Sequence, residues 1–254
     1  MILNTLQGLT PSQEKLLSRF PKSRPLLPDP YTKIYHQHIL DSRNGQGLIA
    51  GLVVKMEQWV HRQIQAQGYG YPTLEIGAGT LNHLAYEPIS NSYDVVEPYI
   101  ALYKGQIEQN RIRNFYNSIT DIPCQHQYQR ILSVFVLEHV EDLPQLLAWS
   151  ACLLKPTGLF IVGIPSEGGG LWSLGWRFGT GLAFRWRTGL SYKPMMRFEH
   201  INTAGEIMAL SHLFFHHVQT KFFPLPSFHL SFYTFMVFTS PRYDVAEEYL
   251  QRYK

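Results

Sequence analysis

Through the first seventy positions apolar residues recur at helical spacing, and after that they gather into short runs. Thr10-Pro11 is a helix start with proline at the first helical position, and Leu16, Leu17 and Phe20 follow on one side. Pro21 to Pro30 reads as a linker. Tyr31, Ile34, Tyr35, His38 and Ile39 again share a helical face, and a longer helix is predicted from about Leu48 to Gln67, ended by Gly68-Tyr69-Gly70-Tyr71-Pro72. From Thr73 the runs alternate with polar stretches long enough for helices, the pattern of a parallel sheet. Strands are predicted at Thr73–Ile76, Tyr93–Glu97, Asn114–Ser118, Arg130–Phe135 and Gly158–Ile164, with a helix from Leu143 to Leu154 closed by Lys155-Pro156-Thr157-Gly158. Residues 165 to 200 break the rhythm and are rich in Gly, Trp, Phe and Arg. A helix over Thr203–Phe214, late strands near Val218–Phe223 and Phe232–Thr239, and an exposed tail helix from Tyr243 complete the pattern.

Composition narrows the function classes. The 254 residues suit one α/β domain (71–242) with an N-terminal helical extension (1–70) and a short tail (243–254). Hydrophobic residues at 45% supply a core, while charged residues at 16% and aromatics at 14% leave apolar surface for a pocket, a partner or a membrane edge. The formal charge of +3, without a basic run, does not point to nucleic acid. Cys124 and Cys152 lack metal-ligand spacing, so neither a disulfide framework nor a metal site is expected. The start, Met1-Ile2-Leu3-Asn4-Thr5-Leu6, has no signal-peptide character, and no apolar stretch is long enough to span a bilayer. The expected location is therefore cytoplasmic.

The candidate chemistry begins at Gly77-Ala78-Gly79-Thr80, just after a buried strand. Glycines there allow a sharp turn and close approach to a ligand, and free amides at a helix start can face an anion. Alone, the pair is equally a tight strand-to-helix turn. Glu97 ends the next strand, 20 residues after Gly77, where a doubly wound fold holds a ribose diol by a carboxylate. Asp121 follows the third strand. Acids at the carboxyl ends of successive strands, beside such a loop, point to a nucleotide-like ligand. A nicotinamide-dependent oxidoreductase shares Glu97, but its loop requires a glycine where Asn82 stands.

These segments resemble the Rossmann-like S-adenosylmethionine-dependent methyltransferases. The likeness rests on Leu74-Glu75-Ile76-Gly77-Ala78-Gly79, Asp94-Val95-Val96-Glu97-Pro98, Ser118-Ile119-Thr120-Asp121-Ile122, Leu132 through Asp142, and Leu153 through Val162. It covers roughly Thr73 to Thr239; the third glycine common in the loop is Leu81 here. The resemblance implies a doubly wound, seven-stranded mixed sheet with its last strand antiparallel, an N-terminal helical cap, and an aromatic insert after the fifth strand. It implies S-adenosylmethionine as cofactor and S-adenosylhomocysteine as product. Glu75 would orient the methionine amino end. Gly77, Ala78 and Gly79 would pass beneath the amino acid portion, Glu97 with Pro98 would hold the ribose, and Asp121 with Ile122 would meet the adenine. The expected function is methyl transfer to a small molecule, more at oxygen than carbon, with sugar, polysaccharide-precursor and lipid-linked acceptors in view. A cofactor-binding subunit without catalysis is the alternative of another class.

Methyl transfer needs alignment, exclusion of water and, where required, a proton acceptor, so no motif fixes the catalytic residue. His139, just past the fourth strand, is one candidate, and it equally suits packing under the cofactor. In Arg197-Phe198-Glu199-His200 the imidazole could be a general base. Glu199 could orient it and Arg197 could hold an anionic acceptor; equally, Asn202 or Thr203 caps the next helix and Glu199 faces solvent. Trp172 and Trp176, in residues 168–190, suit a lid over substrate, an interfacial helix on anionic lipid, a partner contact, or plain packing. Tyr31 and Tyr35 could close the cofactor pocket or pack in the core. Oligomeric state is not legible.

Overall fold

The computed structural model describes residues 9–35, 48–105 and 107–252. Its strands are β1 (Thr73–Ile76), β2 (Tyr93–Val96), β3 (Asn114–Tyr116), β4 (Tyr128–Val134), β5 (Leu154–Pro165), β6 (Phe215–Pro224) and β7 (Ser231–Pro241). They form one sheet in the order β3-β2-β1-β4-β5-β7-β6. β1 to β5 pair in parallel, and β7 runs antiparallel to both β5 and β6. Alternation along each strand divides the core in two. Leu74, Ile76, Ile131, Phe160 and Val162 enter one cluster, whereas Val95, Leu132, Ile161, Phe235 and Val237 enter the other. Chain winding reverses between β1 and β4, which is where an open α/β sheet offers a crevice at its carboxyl edge.

Helix α1 (Pro11–Leu17) begins at Thr10, whose hydroxyl and Gln13 form a reciprocal capping box. Its Leu17 joins the first core cluster. Helix α2 (Leu48–Gln65) lies on the opposite face, with Val60 and Ile64 fully buried. The N-terminal extension expected as a cap thus contributes to both faces of the sheet. A helical segment over 29–35 matches the spacing of Tyr31, Ile34 and Tyr35; His38 and Ile39 lie outside the described residues.

Among the described residues, the helix-length crossovers expected after the first three strands do not form. Those connections carry only 3-10 turns, at Asn82–Tyr86, Ile100–Leu102, Ile107–Arg111 and Ile119–Asp121. Pro88, Pro98, Gly105 and Pro123 interrupt these stretches, and none sustains an apolar helical stripe. Together with these turns, α2 covers the face that crossover helices would have covered.

Helix α3 (Leu143–Leu153) is capped by Asp142 and runs directly into β5, four residues earlier than the predicted start at Gly158. The insert folds as α4 (Gly170–Phe178), α5 (Thr180–Thr188) and α6 (Lys193–Glu199). Helix α7 (Ala204–Phe214) is capped by Thr203 in a box with Glu206. The tail helix α8 (Tyr243–Arg252) is not the exposed element expected: Val245, Ala246 and Tyr249 are buried, and the Tyr249 ring meets Phe214 at 5.6 Å.

Candidate active site

The loop after β1 takes its shape from three left-handed residues. Gly77 has φ +70°, and a Cβ there would lie 2.4 Å from Val136 Cγ2, so the loop after β4 packs directly on this glycine. Gly79 has φ +53°, and a Cβ there would have nothing within 4 Å among the described residues. Leu81 is also left-handed, at φ 63°, with its side chain buried. The backbone therefore adopts at Leu81 a conformation that glycine takes without strain. The loop leads into a short 3-10 turn rather than an α-helix.

Glu97 lies just past β2 and is only 5% exposed. Its Oε2 accepts the Gly79 amide at 2.8 Å and its Oε1 accepts the Tyr99 amide at 2.9 Å. The carboxylate thereby ties the two strand-end loops together and keeps one acceptor position on each oxygen. Pro98 beside it is exposed, and Ala78 is buried in the second core cluster. Asp121 sits exposed on its 3-10 turn, where its carboxylate accepts the Ser118 amide at 2.9 Å. Ile122 is fully buried, with its amide donating to Ile119 O at 3.3 Å. In this structure the pair closes its own turn.

Glu75 is buried on the α2 side and accepts from the Tyr93 hydroxyl at 2.8 Å. Burial raises its pKa, against His83 and the Tyr93 bond. Nearby, His83 Nε2 meets Glu87 Oε1 at 3.0 Å and its Nδ1 meets His61 Nδ1 at 2.9 Å, while Arg130 bonds the same Glu87 oxygen. Burial pushes Glu87 up, but His83 and Arg130 outweigh it and its pKa falls.

The loop after β4 supplies Leu137–His139 as a 3-10 turn. The segment after α6 is fastened to it: the Ile201 and Asn202 amides donate to Glu138 O, and Asn202 Nδ2 donates to Leu137 O at 2.8 Å and Val140 O at 2.6 Å. Asn202 therefore braces this loop, and Thr203 is the cap of α7. His139 and His200 come together edge-on, with ring centroids 5.0 Å apart. His139 Nδ1 bonds the main-chain oxygen of Glu199 at 2.7 Å. The carboxylate on His200 is that of Glu167, at 2.7 Å from Nδ1, and not that of Glu199. Glu199 instead accepts from the Tyr35 hydroxyl, whose pKa is raised by burial and then by this bond. Glu138 is 2% exposed, and burial, opposed by His139, pushes its carboxyl up to about 7.

Around this pair lies the insert. Trp172 stacks on His200 at 6.0 Å and 15°, and Trp176 leans on Tyr192 under the Arg177 guanidinium. Tyr31 stacks on Phe184, and Tyr35 meets Phe198 edge-on, so both tyrosines pack on the insert. An open recess of about 430 Å³ beside His200 is lined by Arg19, Lys22, Arg197 and Ile201 among others. Arg24, from the proline-rich stretch, donates to His139 O at 2.7 Å and Phe198 O at 2.8 Å. Sequence reasoning gave no role to Glu138, Glu167 or Arg24. An acid two residues past the end of β5 was the available signal for Glu167; nothing local marks Arg24.

No family model matches the chain, and no curated protein matches it in sequence. Solved structures do match in fold. One is a Thermotoga maritima protein described as an S-adenosylmethionine-dependent methyltransferase, possible histamine N-methyltransferase; it is 16% identical, with a TM-score of 0.52 over 83% of this chain and 96% of that one. The CurJ carbon methyltransferase is 21% identical with a TM-score of 0.52, over 84% of this chain and 61% of that longer one. A possible exported protein from Bordetella parapertussis is 13% identical with a TM-score of 0.51, over 90% of this chain and 78% of that one. With its strand order, its antiparallel β7 and its helices on both faces, the chain has the fold of the Rossmann-like S-adenosylmethionine-dependent methyltransferases.

Proposed function

We propose that the chain transfers the methyl group of S-adenosylmethionine to an oxygen of a small, anionic acceptor. The observation that carries this reading is the joint between Glu97 and Gly79 at the carboxyl edge, beside open space over Gly79. That arrangement fits the cofactor: two acceptor positions remain on a buried carboxylate for a diol, and a side-chain-free backbone borders the space. Glu97 would hold the ribose, with Pro98 beside it, and Gly77 to Gly79 the amino acid end. Glu75 would act on that end from beneath the loop, and Asp121 with Ile122 would border the adenine. The bound cofactor supplies an activated methyl on a sulfonium leaving group. His139 and His200, at the same edge, are the polar groups available to the acceptor. Arg197 gives the neighbouring recess the charge to receive an anion such as a sugar acid or a phosphorylated precursor; Lys22 and Arg19, which also line it, are both paired with Glu206. Trp172, Trp176 and Glu199 shape that side of the cleft.

Calorimetry with S-adenosylmethionine, S-adenosylhomocysteine and NAD tests the cofactor directly, and tight NAD binding with neither of the others overturns the reading. Glu97→Ala should weaken S-adenosylmethionine binding by about 1–3 kcal/mol, through lost hydrogen bonds to a charged group. Unchanged affinity would show that Glu97 is not the ribose anchor. Cofactor binding without turnover on any oxygen acceptor would favour a non-catalytic partner subunit.

A further inference from the structure

We propose that Glu138, His139 and His200 hold one divalent transition-metal ion, zinc or a cation of similar preference, on the acceptor side of the cleft. One ligand atom from each residue lies within 4.8 Å of the others. Ligands at about 2.0–2.2 Å from one ion are about 3–4 Å apart, so small side-chain rotations close the set. Both imidazoles are already oriented for it. His139 Nδ1 faces a main-chain oxygen and His200 Nδ1 faces the Glu167 carboxylate, each at 2.7 Å. Those partners only accept, so each Nδ1 carries a proton and, in the neutral ring, Nε2 is the nitrogen left to bind an ion. Fixing the distal nitrogen on a carbonyl or carboxylate is how metal-binding histidines are held.

The third ligand is otherwise unexplained. Glu138 is almost wholly buried, its Oε2 has no hydrogen-bond partner among the described residues, and Oε1 lies 3.8 Å from His139 Nε2, too far for a hydrogen bond. A buried carboxylate oxygen left unpaired is costly, and a cation would satisfy it. Two nitrogens and one carboxylate suit zinc and its neighbours rather than magnesium or calcium, which favour all-oxygen sites. Three protein ligands also leave a position open, as in catalytic rather than structural sites. An ion there would withdraw charge from an acceptor hydroxyl, which loses its proton to solvent near neutral pH. The freed oxygen forms the new bond to the methyl carbon, and the carbon–sulfur pair stays on sulfur. This catalytic use rests on the methyltransferase reading; binding of the ion does not.

The test uses the full chain, stripped of metal with a chelator and titrated with zinc chloride alone by calorimetry. One equivalent should bind, and Glu138→Gln and His200→Gln should each weaken binding at least tenfold. Glu167→Gln should weaken it by roughly 10–100-fold, as outer-partner changes do. A paired control, His216→Gln with His217→Gln, should bind as the parent does. Absence of stoichiometric binding, or binding kept in Glu138→Gln and His200→Gln, overturns the proposal. Should a variant fail to fold, X-ray absorption on the zinc-loaded parent decides. Two imidazoles with an oxygen support the site, and a sulfur shell overturns it. S-adenosylmethionine binding measured on the same samples separates the two readings. Metal without cofactor sinks the methyltransferase reading alone, and cofactor without metal sinks this one alone.

Discussion

At Gly77 and Gly79 one residue type meets two different demands. Gly77→Ala combines a left-handed alanine, about 1–2 kcal/mol, with a collision against Val136 worth about 1–3 kcal/mol. It should therefore destabilise the fold by a few kcal/mol in chemical denaturation. Gly79→Ala meets nothing and should cost only the left-handed term, about 1–2 kcal/mol. Its methyl would project into the space assigned to the cofactor, so a folded Gly79→Ala protein should bind S-adenosylmethionine more than tenfold more weakly. Parent-like binding would remove Gly79 from the site. Leu81 shows why a missing third glycine does not reshape the loop. The left-handed strain of about 1–2 kcal/mol is offset by burying the leucine, about 1.5–3 kcal/mol. At this scale the loop glycines and Glu97 were legible because their residue types are constrained. Glu167 was not, because its partner His200 is 33 residues away and only the folded insert brings them together.

Helix α2 carries two groups whose protonation opposes across one pH range. Burial holds Glu57 up to about 7 from an ordinary 4.5, so between those values the folded state binds the extra proton and stability falls as pH rises. Burial, and then His83, pushes His61 down to about 4 from 6.5, so there the unfolded state binds the proton and stability falls as pH drops. Glu57→Gln should remove this group's share of the loss with rising pH and leave the His61 contribution in place. Relative to the parent, it should gain stability between pH 5 and pH 8 in urea denaturation, and His61→Gln should do the reverse. Equal shifts at both pH values would refute this account. The element itself was legible, since Leu48–Gln65 follows the predicted Leu48–Gln67 closely. Its place was not. Periodicity marks an apolar face but not which sheet face receives it, and the crossovers expected there proved to be turns.

Across the whole molecule, the insert leaves an apolar row uncovered. Leu174, Phe178, Leu182 and Trp186 are 52%, 71%, 43% and 85% exposed along α4 and α5, with Arg177, Arg185 and Arg187 exposed beside them. Among the described residues no helix is long and apolar enough to cross a membrane. Apolar side chains among arginines suit a surface that rests on anionic lipid. In flotation assays the chain should associate with vesicles rich in acidic phospholipid and not with zwitterionic ones, and Phe178→Ser with Trp186→Ser should abolish it. Equal recovery with both vesicle types would remove the electrostatic part.

The Arg24 strap has a consequence for the order in which the chain is made. Its guanidinium is held by main-chain oxygens at His139 and Phe198, and the neighbouring Lys22 by Glu206. On the ribosome these basic residues emerge before their anchors, which follow by up to 184 positions. The glycine loop and Glu97 are synthesised long before His200, so a nascent chain could form the cofactor edge while its acceptor edge is still unmade. The two halves of the site would then mature at different times, and the N-terminal stretch would be among the last pieces to settle.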